Sequence, residues 1–340
     1  MIILSNCFTE TVDEGCIKVA NSLAKRIKQK FPETTILSYE RESKHSDIHM
    51  NLNKMLLNME LFRFIRKKKE TVVYIPFTTN TLASIIRTWL LSVYSKKNVV
   101  VIFAGSFDMN FLGKFLLKKS RAKVVALAKE AFDTYQSIVG DKAIYLKAGV
   151  DTKQFVPVDE DKKKMLREKY GVPQGKKVVL HVGHMEQGRN VIQLTKISKE
   201  FQVYLILSTT TEMIRDPELR KKLEAEENIT ILDQYLPNIE EIYQMSDVYF
   251  FPVMQKGNCI DIPLSVMEAA ACNLPVVLTE YGELKEFKNE KGCFFLESFE
   301  EKEINAKIRE AINAEQYDNR SLAKKYDWDF ALETFMNNSS

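Results

Sequence analysis

Asp247 to Glu286 reads DVYFFPVMQKGNCIDIPLSVMEAAACNLPVVLTEYGELKE. Asp247 to Pro252 is an apolar run of strand length, and Pro263 stands where a first helical turn tolerates proline. Asn273 and Pro275 end the helix, and Pro275 to Thr279 is a second strand. The helix between them is almost wholly apolar through Val266, Met267, Ala269, Ala270 and Ala271, and Glu268 is its one carboxylate. An unpaired acid among packed apolar side chains is costly, so Glu268 is predicted to face a solvent cleft or a polar ligand, and a ribose diol is a fitting partner.

The same alternation extends in both directions. Upstream of residue 150 the strand-length runs are Met1 to Ser5, Thr35 to Tyr39, Thr71 to Pro76, Asn98 to Phe103, Val124 to Leu127 and Ala143 to Leu146. Downstream they are Lys177 to Val182, Val203 to Ser208, Ile229 to Leu232, Val248 to Pro252, Val276 to Thr279 and Gly292 to Leu296. Amphipathic stretches separate them: Ile17, Ala20, Leu23, Ala24 and Ile27 recur at helical spacing behind an entrance at Asp13, Glu14 and Gly15. Asn238 with Glu241 has the spacing of a capping box. Strands alternating with helices imply parallel sheets covered on both faces, here two in succession. No G-x-G-x-x-G follows any strand, which argues against a dehydrogenase.

Bulk properties agree with two soluble domains. The chain has 340 residues, 45% of them apolar and 28% charged. A net charge of +3 gives no case for nucleic-acid binding. MIILSNCF lacks a basic leader, no apolar run approaches a membrane span, and the five cysteines form no C-x-x-C pair, so a cytoplasmic protein is expected.

PLSVMEAAACNLPVVLT, followed by Gly282 and Glu286, resembles the retaining GT-B glycosyltransferases of family 4, whose helix carries the second glutamate of an E-x7-E pair. KAGVDTKQFVP at 147–157 is similar to the family's hinge entry, with Ala148 where asparagine is usual, and WDFALETFMNN resembles its Trp-bearing last helix. The resemblance implies two Rossmann-like, doubly wound α/β domains facing a central cleft. Residues 1–155 would form the acceptor-side domain, 156–325 the nucleotide-sugar domain, and 326–340 a helix returning to the first. The implied activity is transfer of a hexose from a UDP- or GDP-sugar to a glycan or glycolipid acceptor, with retention and without a metal or other cofactor. Asp159-Glu-Asp161 is read as solvated linker rather than as a metal-binding D-x-D.

The site residues follow residue by residue. HVGHMEQGRN at 181–190 resembles the V-G-R-x4-K-G loop that grips the donor diphosphate, so Gly183 and Arg189 are assigned to it, with His184 on the arginine's place as ligand or spectator. Glu268 takes the ribose. Tyr235 and Leu236 occupy the base-recognition segment, and Gly282 and Glu283 offer backbone amides to the hexose and diphosphate. Gly15 would allow close approach from the first domain, or is an ordinary tight turn. Ile260 stands where the first glutamate belongs, with Asp261 beside it, and the strand ends YIPF and FAG carry no acceptor-side histidine. Asp261 either supplies the missing carboxylate or is a helix-terminal acid. With Arg189 it is the catalytic candidate. The basic stretches 61–69 and 111–123 are solvated crossover helices or a peripheral contact with the inner face of a membrane. These departures also allow a second reading, a non-catalytic GT-B relative that binds a nucleotide sugar or a partner protein.

Overall fold

A computed structural model describes residues 1–339 apart from 13, 41, 53–57, 106, 107, 148, 209–215 and 256. Asp13 and Ala148 therefore lie outside the described residues. The chain forms two compact units, Met1–Ala148 with Trp328–Ser340, and Gly149–Asp327.

The first unit holds β1 (Ile2–Ser5), α1 (Gly15–Lys30), β2 (Thr35–Tyr39), β3 (Ile48–Met50), α2 (Met59–Lys68), β4 (Val72–Ile75), α3 (Leu82–Tyr94), β5 (Val99–Phe103), α4 (Phe111–Lys119), β6 (Lys123–Ala126), α5 (Lys129–Val139) and β7 (Ala143–Tyr145). Its seven strands are all parallel in the order β3-β2-β1-β4-β5-β6-β7. The central strands are buried along their whole length, which only helices on both faces can achieve. The predicted stripe Ile17, Ala20, Leu23, Ala24 and Ile27 is buried on α1. The last helix of the chain, α12 in Trp328–Ser339, packs on α1 and is pinned by an Arg26–Asp329 ion pair at 3.1 Å. Asn58, Thr81 and Asn110 cap α2, α3 and α4 with their side chains.

The second unit holds α6 (Glu160–Lys169), β8 (Lys177–Gly183), β9 (Phe201–Leu207), α7 (Pro217–Glu224), β10 (Ile229–Leu232), α8 (Glu240–Met245), β11 (Val248–Phe251), α9 (Leu264–Ala271), β12 (Val276–Leu278), β13 (Cys293–Phe295), α10 (Glu301–Ile312) and α11 (Asn319–Lys324). Its six strands are again parallel, in the order β10-β9-β8-β11-β12-β13. Asp247, at the head of β11, fastens α6 to the sheet: its carboxylate pairs with Lys163 at 2.9 Å and Arg167 at 2.5 Å and accepts the Val178 N–H at 2.7 Å. Residues 149–155, read from sequence as the end of the first domain, are tied to the second unit. Thr152 bonds Asp327 through its N–H at 3.2 Å and its hydroxyl at 2.5 Å, and the Arg320 guanidinium donates to the Thr152 and Phe155 carbonyls at 2.9 Å.

Two doubly wound parallel sheets are what the alternation predicts. The expected capping box does not form. Ile239 is the N-cap of α8, and the Glu241 carboxylate is taken by Lys169 and by the Tyr170 hydroxyl at 2.7 Å. Among the described residues no helix is long and apolar enough to cross a membrane.

Candidate functional site

In a doubly wound sheet the crevice for ligands lies beyond the carboxyl ends of the strands, where the strand order reverses. In the second unit that point falls between β8 and β11. Three loops are knitted together there. The loop after β8 runs through a 3-10 turn at Gln187–Arg189 to Asn190, whose left-handed backbone (φ 57°) turns its carboxamide back to donate to the Pro252 carbonyl at 3.2 Å. A Cβ on Gly188 would overlap the Asn258 carboxamide, so glycine there permits the close approach of the loop after β11. The loop after β12 holds the same segment from the other side. The Tyr281 hydroxyl accepts the Cys259 N–H at 2.9 Å and donates to the Cys259 carbonyl, while the Glu283 N–H donates to the Asp261 carbonyl at 3.0 Å. Gly282, at φ +52°, passes so close that a Cβ would lie 2.9 Å from the Asp261 Cα.

Two unsatisfied donor and acceptor groups converge on the end of β8. The position a Cβ would take on Gly183 lies 3.2 Å from His181 Nε2 and 3.7 Å from Arg189 Nη1. Among the described residues, His181 Nε2 and Arg189 Nε are both buried with no hydrogen-bond partner. His181 is 0% exposed, and its Nδ1 lies 2.8 Å from the Phe250 carbonyl oxygen. A carbonyl can only accept, so Nδ1 carries the proton and Nε2 presents a lone pair. Burial holds this imidazole neutral, down to a pKa of about 4; the Phe250 bond opposes that shift and the Arg189 charge adds to it. Burial also pushes the Cys259 thiol up, against the pull of Arg189, which bonds it. The arrangement is therefore a guanidinium with donor capacity left over beside a glycine, a combination suited to a multivalent oxyanion.

Beneath the loops an aromatic column joins this point to α9. His181 stacks on Tyr249 at 6.3 Å between ring centroids and Tyr249 on Tyr243 at 5.9 Å, and the Tyr243 hydroxyl donates to Glu268 Oε2 at 2.7 Å. Burial, followed by the Glu268 charge, pushes the Tyr243 phenol well above its ordinary range, so it remains a donor. Glu268 is 4% exposed, so of the two expectations, a solvent cleft or a polar ligand, the open solvent cleft is the one that falls. One of its polar partners is a tyrosine from α8, invisible to a reading of α9 alone.

The other assignments fare differently. His184 is buried rather than presented on the loop surface. The Glu283 amide, assigned to a hexose, is committed to Asp261. Asp261 is half-buried and lies two residues before the Pro263 N-cap of α9, whose first turn contains no acid. Tyr235 is exposed and Leu236 half-buried beyond β10, the edge strand, two strands from β8. Gly15 is the first residue of α1, in the first unit. His181, Tyr243, Tyr249 and Tyr281 were not singled out from the sequence. The one available signal was that His181 and Gly183, two apart on a strand, share a face.

Residues 176–314, most of the second unit, match the family model of glycosyl transferases group 1. The family match thus lies within the second unit, and the fold of the chain is GT-B. HepE from Anabaena, solved with UDP and glucose, aligns over 99% of this chain and 98% of its own with a TM-score of 0.78 at 12% identity. WaaG, a glycosyltransferase involved in lipopolysaccharide biosynthesis, aligns over 100% of both chains with a TM-score of 0.68 at 12% identity. UDP-GlcNAc 2-epimerase from Neisseria meningitidis, bound to UDP-GlcNAc, aligns over 99% of this chain and 100% of its own with a TM-score of 0.59 at 16% identity. At such identities the likeness shows the fold alone, and the fold hosts more than one chemistry. No curated protein matches the chain.

Proposed function

We propose that the protein is a family 4 glycosyltransferase of the cytoplasm that moves a hexose, with retention of configuration, from a UDP- or GDP-sugar to a glycan or lipid-linked acceptor. The observation that carries this reading is the convergence of Arg189 and His181 on Gly183 at the switch point of the second unit. Arg189 grips the diphosphate and stabilises it as leaving group, with the amides opening α9 in support and no metal required. Glu268 takes the ribose hydroxyls, which a carboxylate can accept at any of about four sites, and the Tyr243 bond orients it. Asp261, in the loop fixed by Tyr281 and Gly282, replaces the carboxylate lost at Ile260 and holds the hexose.

The neighbours lend support as analogies. HepE was solved with UDP and glucose, and WaaG acts in lipopolysaccharide biosynthesis, which favours an envelope glycan or glycolipid as acceptor. Peripheral contact with the inner face of a membrane, through one or both of the basic stretches 61–69 and 111–123, belongs to the same reading. Ile260 and the buried His184 favour the second reading, a binding protein without turnover.

A thermal-shift screen against nucleotides and sugar nucleotides tests the site, because a ligand of the native state raises stability with the logarithm of its concentration. UDP or GDP should raise the unfolding temperature, and a wild type indifferent to every nucleotide would remove the donor site.

A further inference from the structure

The two basic stretches look alike in sequence and differ in the fold. On α2, Leu61, Phe62 and Ile65 are buried and the cations stand on the solvent face, as on an ordinary crossover helix. On α4 the apolar residues are on the outside. Phe111 is 85% exposed, Leu112 49% and Phe115 48%, while Gly113 and Leu117 on the opposite side are buried. Residues 111 and 115 are one turn apart, so the two rings form a single ridge. Lys114, Lys118 and Lys119 border it, with the Lys119 ammonium 5.9 Å from the Phe115 ring centre. Val93, at the end of the neighbouring α3, is 50% exposed.

This helix is firmly mounted. A Cβ on Gly113 would come within 3.2 Å of Ile85, which shows how closely α4 packs on α3. Arg121 donates to the Ser92 carbonyl from Nε at 3.2 Å and from Nη2 at 2.5 Å, joining the ends of the two helices. The ridge is therefore a firmly mounted surface left uncovered by the described residues, and such patches mark contacts with other molecules. Charge selects the partner: residues 108–123 contain five cations (Lys114, Lys118, Lys119, Arg121, Lys123) against one acid, Asp108.

We infer that α4 is a membrane-docking element, its Phe111, Leu112 and Phe115 entering the headgroup region of an anionic bilayer while the flanking lysines bind lipid phosphates. Aromatic and leucine side chains flanked by lysine stems suit that interface, where the stems lie along apolar material and the ammonium groups stay wet. The placement also fits the use. α4 follows β5, so its first turn stands at the carboxyl edge of the first unit's sheet, the edge at which doubly wound sheets bind ligands. A membrane docked there would present a lipid-linked acceptor to that edge. This deepens the proposed transferase reading but is measured apart from it, since vesicle binding needs neither donor nor transfer.

The test is sedimentation of the full chain with phosphatidylcholine vesicles, with and without phosphatidylglycerol. Binding should require the anionic lipid and weaken with salt. Lys118→Gln with Lys119→Gln should lower affinity by about fivefold for each cation, and Phe111→Ser with Phe115→Ser by about tenfold or more at any salt. Lys67→Gln with Lys68→Gln on α2 should change it less than the α4 pair does. Because the substituted side chains are exposed, unfolding temperatures should stay at the wild-type value. A Phe111→Trp reporter should shift its emission to the blue when vesicles are added. Any of three results would overturn the proposal: no binding to anionic vesicles, α2 variants that weaken it as much as α4 variants, or a wild-type self-association that the Phe pair abolishes without affecting lipid.

Discussion

Replacing Arg189 by methionine should move ligand affinity and stability in opposite directions. The guanidinium is held against Cys259 and beside His181, with its Nε buried and unpartnered among the described residues. An unsatisfied buried donor costs about 1–3 kcal/mol, a cost the folded protein bears until an oxyanion arrives. Methionine has a similar reach and no donor. Arg189→Met should therefore leave the ligand-free protein as stable as the wild type or more so, by about 1 kcal/mol, which is roughly 2–4 °C in unfolding temperature. The same change removes a charge-assisted bond to the diphosphate, worth about 1.5–3 kcal/mol, so UDP or GDP should bind ten- to a hundredfold more weakly. Calorimetric titration gives the affinity and scanning calorimetry the stability. A variant that unfolds several degrees earlier yet binds nucleotide as well as the wild type would show Arg189 to be structural and refute the reasoning.

Three further outcomes are expected. Gly282→Ala should destabilise the protein by about 2 kcal/mol or more in urea unfolding, since it combines a left-handed backbone with a Cβ pressed on Asp261; an unchanged midpoint would deny the close approach. His181, at about 4 instead of 6.5, takes up its proton in the unfolded chain before the folded one, so the stability it contributes is complete above about pH 6.5 and is lost as pH falls through about 4. The difference amounts to roughly 3 kcal/mol, and His181→Asn should flatten the pH dependence of stability across that window; an equally steep dependence in the variant would assign it to other groups. Asp261→Asn should abolish most transfer while leaving UDP or GDP affinity nearly unchanged, because the diphosphate lacks the sugar this residue is proposed to hold; wild-type turnover in the variant would send the search for the missing carboxylate elsewhere.

The architecture was legible because buried parallel strands are written as short apolar runs: Thr35–Tyr39 and Ile229–Leu232 coincide with observed strands residue for residue. β3 was missed because Ile48–Met50 is three residues long, carries a histidine in the middle and lies at the sheet edge. Of the candidate site, the proximity of Gly183 and Arg189 is local enough to be read from one loop. The burial of Glu268 was not legible because one of its partners, Tyr243, comes from another helix 25 residues away, and His181 passed unnoticed because a strand histidine surrounded by apolar residues looks like core. Gly188 and Gly282 acquire their meaning from Asn258 and Asp261 across the loop cluster, which no local pattern reveals. On the basic stretches composition gave equal weight to α2 and α4, and only the fold shows which of them turns its phenylalanines outward.

The most direct measurement is a time course, followed by proton NMR, of UDP- and GDP-hexoses incubated with the protein and a detergent-solubilised glycolipid acceptor. The account predicts loss of donor, appearance of UDP or GDP, and a new glycosidic linkage with the donor's anomeric configuration, all slowed in Arg189→Met and Asp261→Asn. A donor that is bound but stays intact with every acceptor, or that is converted to an epimer, would contradict it.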